Sequence, residues 1–160
     1  MLKSKISNIS NQPVSLADFK AYVGGINHTL QDAVIQRHIN AAIIWATKLS
    51  NIPAADFDVE LIQNKATVCQ DLLFDNITIT TVKDLLTGDE IDYTTNAKES
   101  VVITLSEYQL LVNYSCTAVD NDVLTDAILN YAVVLYSGQT DPDAMKRIIN
   151  DLRTIQNEIY

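Results

Sequence analysis

Residues 122–137 constrain this chain more than any other stretch. They read Asp-Val-Leu-Thr-Asp-Ala-Ile-Leu-Asn-Tyr-Ala-Val-Val-Leu-Tyr-Ser. Asp122 can accept hydrogen bonds from the first free amides of a helix. Leu124, Ile128, Tyr131, Ala132 and Leu135 then recur at helical spacing on one face. Ala127, Leu129, Val133, Val134 and Tyr136 fill most of the remainder. A helix apolar nearly all round must be covered on several sides, and this one falls short of the ~20 apolar residues that cross a membrane. The stretch therefore predicts a central helix with the other elements packed round it.

What precedes it divides into helix and strand by period. Ser15-Leu16-Ala17-Asp18 predicts a helix start, with Ser15 as cap and Asp18 in the first turn. Gly24-Gly25 stops that helix after Val23. Thr29, with Asp32 three residues on, predicts a second cap and a helix over residues 30–49. Leu30, Val34, Ala41, Trp45 and Leu49 form one stripe on it, while Ile35, Ile39, Ala42, Ile43 and Ala46 form another. Residues 54–75 allow a helix through Val59, Ile62, Ala66, Cys69, Leu72 and Leu73, or an extended run from Phe57 to Ile62. From Ile77 the period becomes two. Ile77 and Ile79, then Val101, Ile103 and Leu105, then Tyr108, Leu110, Val112, Tyr114 and Cys116 alternate with their neighbours. Residues 87–90 are a turn within an extended loop, 87–100.

After the central helix, Asp141-Pro142 opens a last one, with Asp141 as cap and Pro142 at the first helical position. Met145, Ile148, Ile149, Leu152, Ile155 and Ile159 make its apolar stripe, and Lys146, Arg147, Asp151, Arg153 and Glu158 face outward. Residues 1–12 lack periodicity and read as a flexible arm. The expected fold is a single α+β domain over residues 1–160, mainly helical. Its order is a short N-terminal helix, a long second helix, a small antiparallel sheet, the long central helix and a C-terminal helix.

Reactive groupings are scarce. His28 and His38 lie ten apart, whereas a two-histidine metal pair on a helix wants three or four. Asp120-Asn121-Asp122 lacks the glycine and closing glutamate of a calcium loop, and capping explains it more simply. No cofactor or metal is expected. Cys69 and Cys116 suit a reducing compartment, with Cys116 on the inward face of its strand. A cysteine-dependent enzyme pairing one of these thiols with a histidine is retained as an alternative, though no local motif supports it. The chain carries a formal net charge of -9, which repels phosphate and disfavours tight nucleic-acid binding. Met1 to Ile6 has no apolar run behind its lysines, so no signal peptide is expected. Asp89, Glu90 and Asp92 cluster on the turn. They are read as solvated, or, in a further alternative, as the contact of a monomeric adaptor or inhibitor with a basic host protein. The double stripe of residues 30–49 and the C-terminal stripe exceed what one small sheet covers, which favours an oligomer.

Three stretches resemble the head-to-tail connector (adaptor, or head-completion) proteins of long-tailed phages. Val14 to Val23 is similar to that family's opening short helix, with a leucine and an acidic residue followed closely by lysine. Asp32 to Ile35, Ile39, Ala41-Ala42 and Trp45 are similar to its second helix. Leu111-Val112-Asn113-Tyr114, then Asp126-Ala127-Ile128-Leu129 and Leu135-Tyr136, resemble its last strand and long helix. The chain departs from that pattern in three places, one of them the long loop 87–100. It has Ser115-Cys116-Thr117 where the family tends to have glycine, and Asp120-Asn121-Asp122 where it tends to have proline.

The resemblance implies a non-enzymatic virion protein of the neck, made in the bacterial host cytoplasm. Copies would form a ring, usually dodecameric, between the portal protein and a tail or neck protein. That ring would extend the channel through which DNA passes without specific binding, and no membrane would be involved. The residues offered as self, portal or tail contacts are Ile35, Ile39, Ile43, Asp89, Glu90, Asp92, Tyr93, Arg153, Ile159 and Tyr160.

Overall fold

The computed structural model describes residues 2–26, 29–63, 69–70, 72, 74, 77–95, 101–103, 109–139 and 141–159. The chain is α+β and falls into two compact units, residues 1–10 with 56–117 and residues 11–55 with 118–160. His28, Tyr108 and Tyr160 lie outside the described residues, as do the side chains of Cys69 and Ile159.

The helical unit holds α1 (Leu16–Val23), α2 (Asp32–Ser50), α3 (Asp122–Ser137) and α4 (Pro142–Ile159). α1 starts as expected. The Ser15 hydroxyl accepts from the Asp18 N–H at 3.1 Å, and the Asp18 carboxylate accepts from the Ser15 N–H at 2.9 Å, a reciprocal capping box. α2 starts two residues later than expected, with Gln31 at the cap position and no side-chain cap bond. Thr29 supplies only a backbone carbonyl to Asp32. Asn51, in the left-handed region at φ 60, ends α2. α3 is capped by Asn121, whose side chain accepts from the Leu124 N–H at 3.0 Å, and not by Asp122, which is already helical. Asp141 accepts from the Asp143 N–H at 2.9 Å as Pro142 opens α4.

The central-helix expectation holds, since α3 packs against α1, α2 and α4. Its buried face is Leu124, Ala127, Ile128 and Ala132, with Leu135 only half-buried. Across from it, α2 buries Ile35, Ile39, Ala42, Ile43 and Ala46. The alanines on both helices let the backbones approach, and Trp45 stacks on Tyr131 with ring centroids 4.0 Å apart. Ile148, Leu152 and Ile155 of α4 complete this core.

The sheet unit corrects two expectations. Residues 2–10 are not an arm but β1 (Leu2–Ser10), antiparallel to β2 (Asp56–Gln63). The run from Phe57 is therefore the extended alternative and not the helical one. β2 pairs β7 (Leu110–Cys116), which pairs β4 (Ile77–Asp84), giving the order β1-β2-β7-β4. A second sheet has the order β3 (Cys69–Gln70), β6 (Val101–Ile103), β5 (Tyr93–Thr95). Part of the expected loop 87–100 is thus β5. Leu110, Val112, Tyr114 and Cys116 of β7 are buried in strict alternation. They form one core with Phe57, Val59, Leu61, Phe74 and Val82. The opposite face carries Lys5, Glu60, Asn113 and Thr81 in one cross-strand row.

Candidate functional site

The described residues offer surfaces more than chemistry. Cys116 is 2 % exposed in the sheet core, and a thiol so shielded is not placed to attack a substrate. His38, in the other unit, sets its ring edge-on against Tyr136 at 6.4 Å. Among the described residues no group of three or more His, Cys, Asp and Glu could hold a metal ion, and no helix is long and apolar enough to cross a membrane.

The first surface is the corner between α1 and α2. Tyr22 and Val23 end α1, Leu30 precedes α2 and Val34 lies in its first turn. Leu30 is 90 % exposed and Tyr22 57 %. The corner is braced. Lys20 and Asp32 form an ion pair linking the two helices. The Tyr22 hydroxyl donates to Asn130 Oδ1 at 2.9 Å, and the Tyr136 hydroxyl donates to Gln31 Oε1. Asp18 is held below the usual carboxylate range, first by the Ser15 hydroxyl and then by the Ser15 backbone N–H. Large apolar side chains are thus presented on a fixed scaffold.

The second surface is the turn after β4. Gly88 at φ 79 supplies the left-handed residue it needs, and its N–H donates to the Asp84 carbonyl at 2.8 Å. The Asp84 carboxylate accepts from the Leu86 N–H at 2.8 Å, and Leu86 projects with 75 % exposure. The chain then returns alongside β4. Asp84 N–H donates to the Asp89 carbonyl, the Lys83 and Glu90 backbones stand opposite in a single antiparallel β-bridge, and Ile91 N–H donates to the Val82 carbonyl. Asp89, Glu90, Asp92 and Tyr93 are all exposed here. The third surface is the outer side of α4, with Lys146, Arg147, Asp151 and Arg153 exposed.

The structure thus sorts the offered contacts. Asp89, Glu90, Asp92 and Tyr93 lie together on one turn and strand of the sheet unit, and Arg153 is on α4 of the helical unit. Ile35, Ile39 and Ile43 are corrected. They are fully buried within the single chain and have no surface left for another copy. The outward apolar residues are instead Leu30, just before α2, and Val34 and Ala41 on it, broken by exposed Arg37. That arginine was an available signal, because a charged residue inside an apolar stripe marks the solvent side. Leu86 belongs to no stripe, and nothing in the sequence marked it. Ile159 is the last residue of α4, its side chain outside the description, and Tyr160 lies beyond the described residues.

No family model matches the chain, and no curated protein matches it. Solved structures do. A chain in the neck of an empty gene transfer agent particle, computed with C6 symmetry, superposes with a TM-score of 0.65 at 13% identity, covering 95% of this chain and 94% of that one. A chain in the virion of a native gene transfer agent particle superposes with a TM-score of 0.56 at 14% identity, covering 94% of this chain and 93% of that one. At such identities the likeness is one of fold. The chain has, over nearly its whole length, the fold of a chain in the neck of a gene transfer agent particle, which agrees with the fold that the connector resemblance implies.

Proposed function

We propose that this chain is a structural, non-enzymatic protein of a virion neck. Copies of it form a ring between the portal protein and the tail, which extends the DNA channel and joins head to tail. The observation that carries the reading is the end-to-end fold likeness to a chain in a gene transfer agent neck, reciprocal in coverage at 95% and 94%. Twelve copies is the ring size we favour, and a twelvefold ring contains the C6 symmetry with which that neck was computed. Residues 1–160 serve as one connector-like domain, synthesised in the host cytoplasm and incorporated at the neck.

The exposed corner of Tyr22, Val23, Leu30 and Val34 supports the assembly reading, since burying such side chains against a neighbour is the main favourable term in association. The Leu86 turn, with its carboxylates, and the outer face of α4 around Arg153 are the elements we assign to docking on portal or tail. The acidic balance of the chain, -9 overall, suits a channel wall past which DNA slides. Electron microscopy of the purified protein, alone at high concentration and mixed with the portal protein of the same virus, tests the reading. Rings, free or seated on the portal, are expected. A protein that stays monomeric at every concentration and never binds portal would overturn it.

A further inference from the structure

We propose that neighbouring copies join edge to edge through their sheets, β1 of one copy lying along residues 89–95 of the next; this rests on the ring reading above. β1 ends the four-stranded sheet and β5 ends the three-stranded one. Each has a side on which no described strand lies, and a row of backbone N–H and C=O groups along such a side is a template for a further strand. β1 is long for an edge, at nine residues. The opposite partner is held at one end by the isolated backbone bridge of Glu90 to Lys83 and the Ile91-to-Val82 hydrogen bond, and is the strand β5 at the other. Tyr93, Thr94 and Thr95 are all exposed.

Charge selects which edges meet. Lys3 and Lys5 are exposed and, two apart, share one face of β1. Lys5 stands level with Glu60 on β2, whereas Lys3 stands level with Ile62 and has no carboxylate across from it. On the other edge Glu90 and Asp92 are exposed with the same spacing of two. An antiparallel register that sets Lys3 opposite Asp92 also sets Lys5 opposite Glu90, so both pairs form together. The same charges exclude the alternatives. Two β1 edges would bring lysines together and two 89–95 edges would bring carboxylates together, so symmetric two-fold pairing is repelled in both cases. What remains is a head-to-tail contact between different surfaces, the kind that closes into a ring when the rotation permits.

Two charge-reversed variants test this beside the wild type, with assembly followed by light scattering and electron microscopy. One is Lys3→Glu with Lys5→Glu, and the other is Glu90→Lys with Asp92→Lys. Each alone places like charges on both edges, and its assembly is expected to need roughly tenfold more protein or worse. Mixed in equal amounts, the two restore complementary edges at every contact, and rings are expected to return with the variants alternating. Alternation closes only in rings of even number, so a recovered ring has an even count. Recovery also shows that both variants are folded. Rings that form as well from either variant alone as from wild type, or a mixture that fails to recover, would overturn the edge contact while leaving the ring reading standing. Wild type that forms no ring, alone or on portal, would overturn both.

Discussion

Leu30 and Ile128 mark the two ends of what an apolar side chain does in this molecule. Ile128 is fully buried on the inner face of α3. Deleting most of it leaves a cavity among close-packed neighbours, so Ile128→Ala is expected to cost ~2–5 kcal/mol in a urea titration. Leu135, which the sequence places on the same face, is half-buried, so the corresponding substitution leaves a smaller cavity and costs less. Leu30 is 90 % exposed and contributes little to the single chain. Leu30→Asp is expected to change stability by less than ~0.5 kcal/mol and to weaken ring assembly, which sedimentation checks against wild type. Destabilisation comparable with that of Ile128→Ala would mean that Leu30 is covered. Legibility at this scale followed the neighbours. Cys116 reads correctly as core because its strand alternates without interruption. Ile35, Ile39 and Ile43 read wrongly as contacts because two stripes share α2, and the choice between them turned on the exposed charges Arg37 and Lys48 along the outward one.

At the scale of elements, three helix ends were legible while the caps of α2 and α3 and a bulged strand were not. The Ser15–Asp18 box, the Gly24 stop and the Asp141-Pro142 start are local chemistry, fixed by residues within one turn. β1 was hidden by its own irregularity. Its register shifts between Ser7 and Ser10, with Asn8 at φ 54, so Ile6 and Ile9 pack toward the same core at an odd spacing and the period of two is lost. The capping box carries a prediction about acid. Because the Ser15 hydroxyl and backbone N–H hold the Asp18 carboxyl below the usual carboxylate range, the ionised carboxylate favours the folded helix. That contribution is complete above the unfolded value and disappears as pH falls through the lowered folded one. The urea midpoint is therefore expected to drop between pH 5 and the acid range near pH 3, about the window where carboxylates protonate. Asp18→Asn should reduce that drop, whereas a variant with the full wild-type acid dependence would show that other groups set it.

For the whole molecule, the sheet order β1-β2-β7-β4 joins strands far apart in sequence. Periodicity reports which residues face inward but not which distant strand lies alongside, so the pairing of the chain's beginning with residues 56–63 was not legible. Charge, by contrast, is legible from composition alone. A net of -9, with Asp58, Glu60, Asp89, Glu90 and Asp92 all exposed, sets up a field that repels a polyanion. Binding to duplex DNA draws its strength from cations that replace counterions along the phosphates, and here carboxylates outnumber those cations. No retardation of duplex DNA is therefore expected in a gel-shift assay at roughly physiological salt, where the ~8 Å screening length still leaves near-surface repulsion in force. Tight binding that weakens steeply with added salt would require a basic lining and would contradict a wall past which DNA slides. The same assay on assembled rings separates the outer surface from the bore, since a linear duplex short enough to thread a ring would be held only by a channel that traps it.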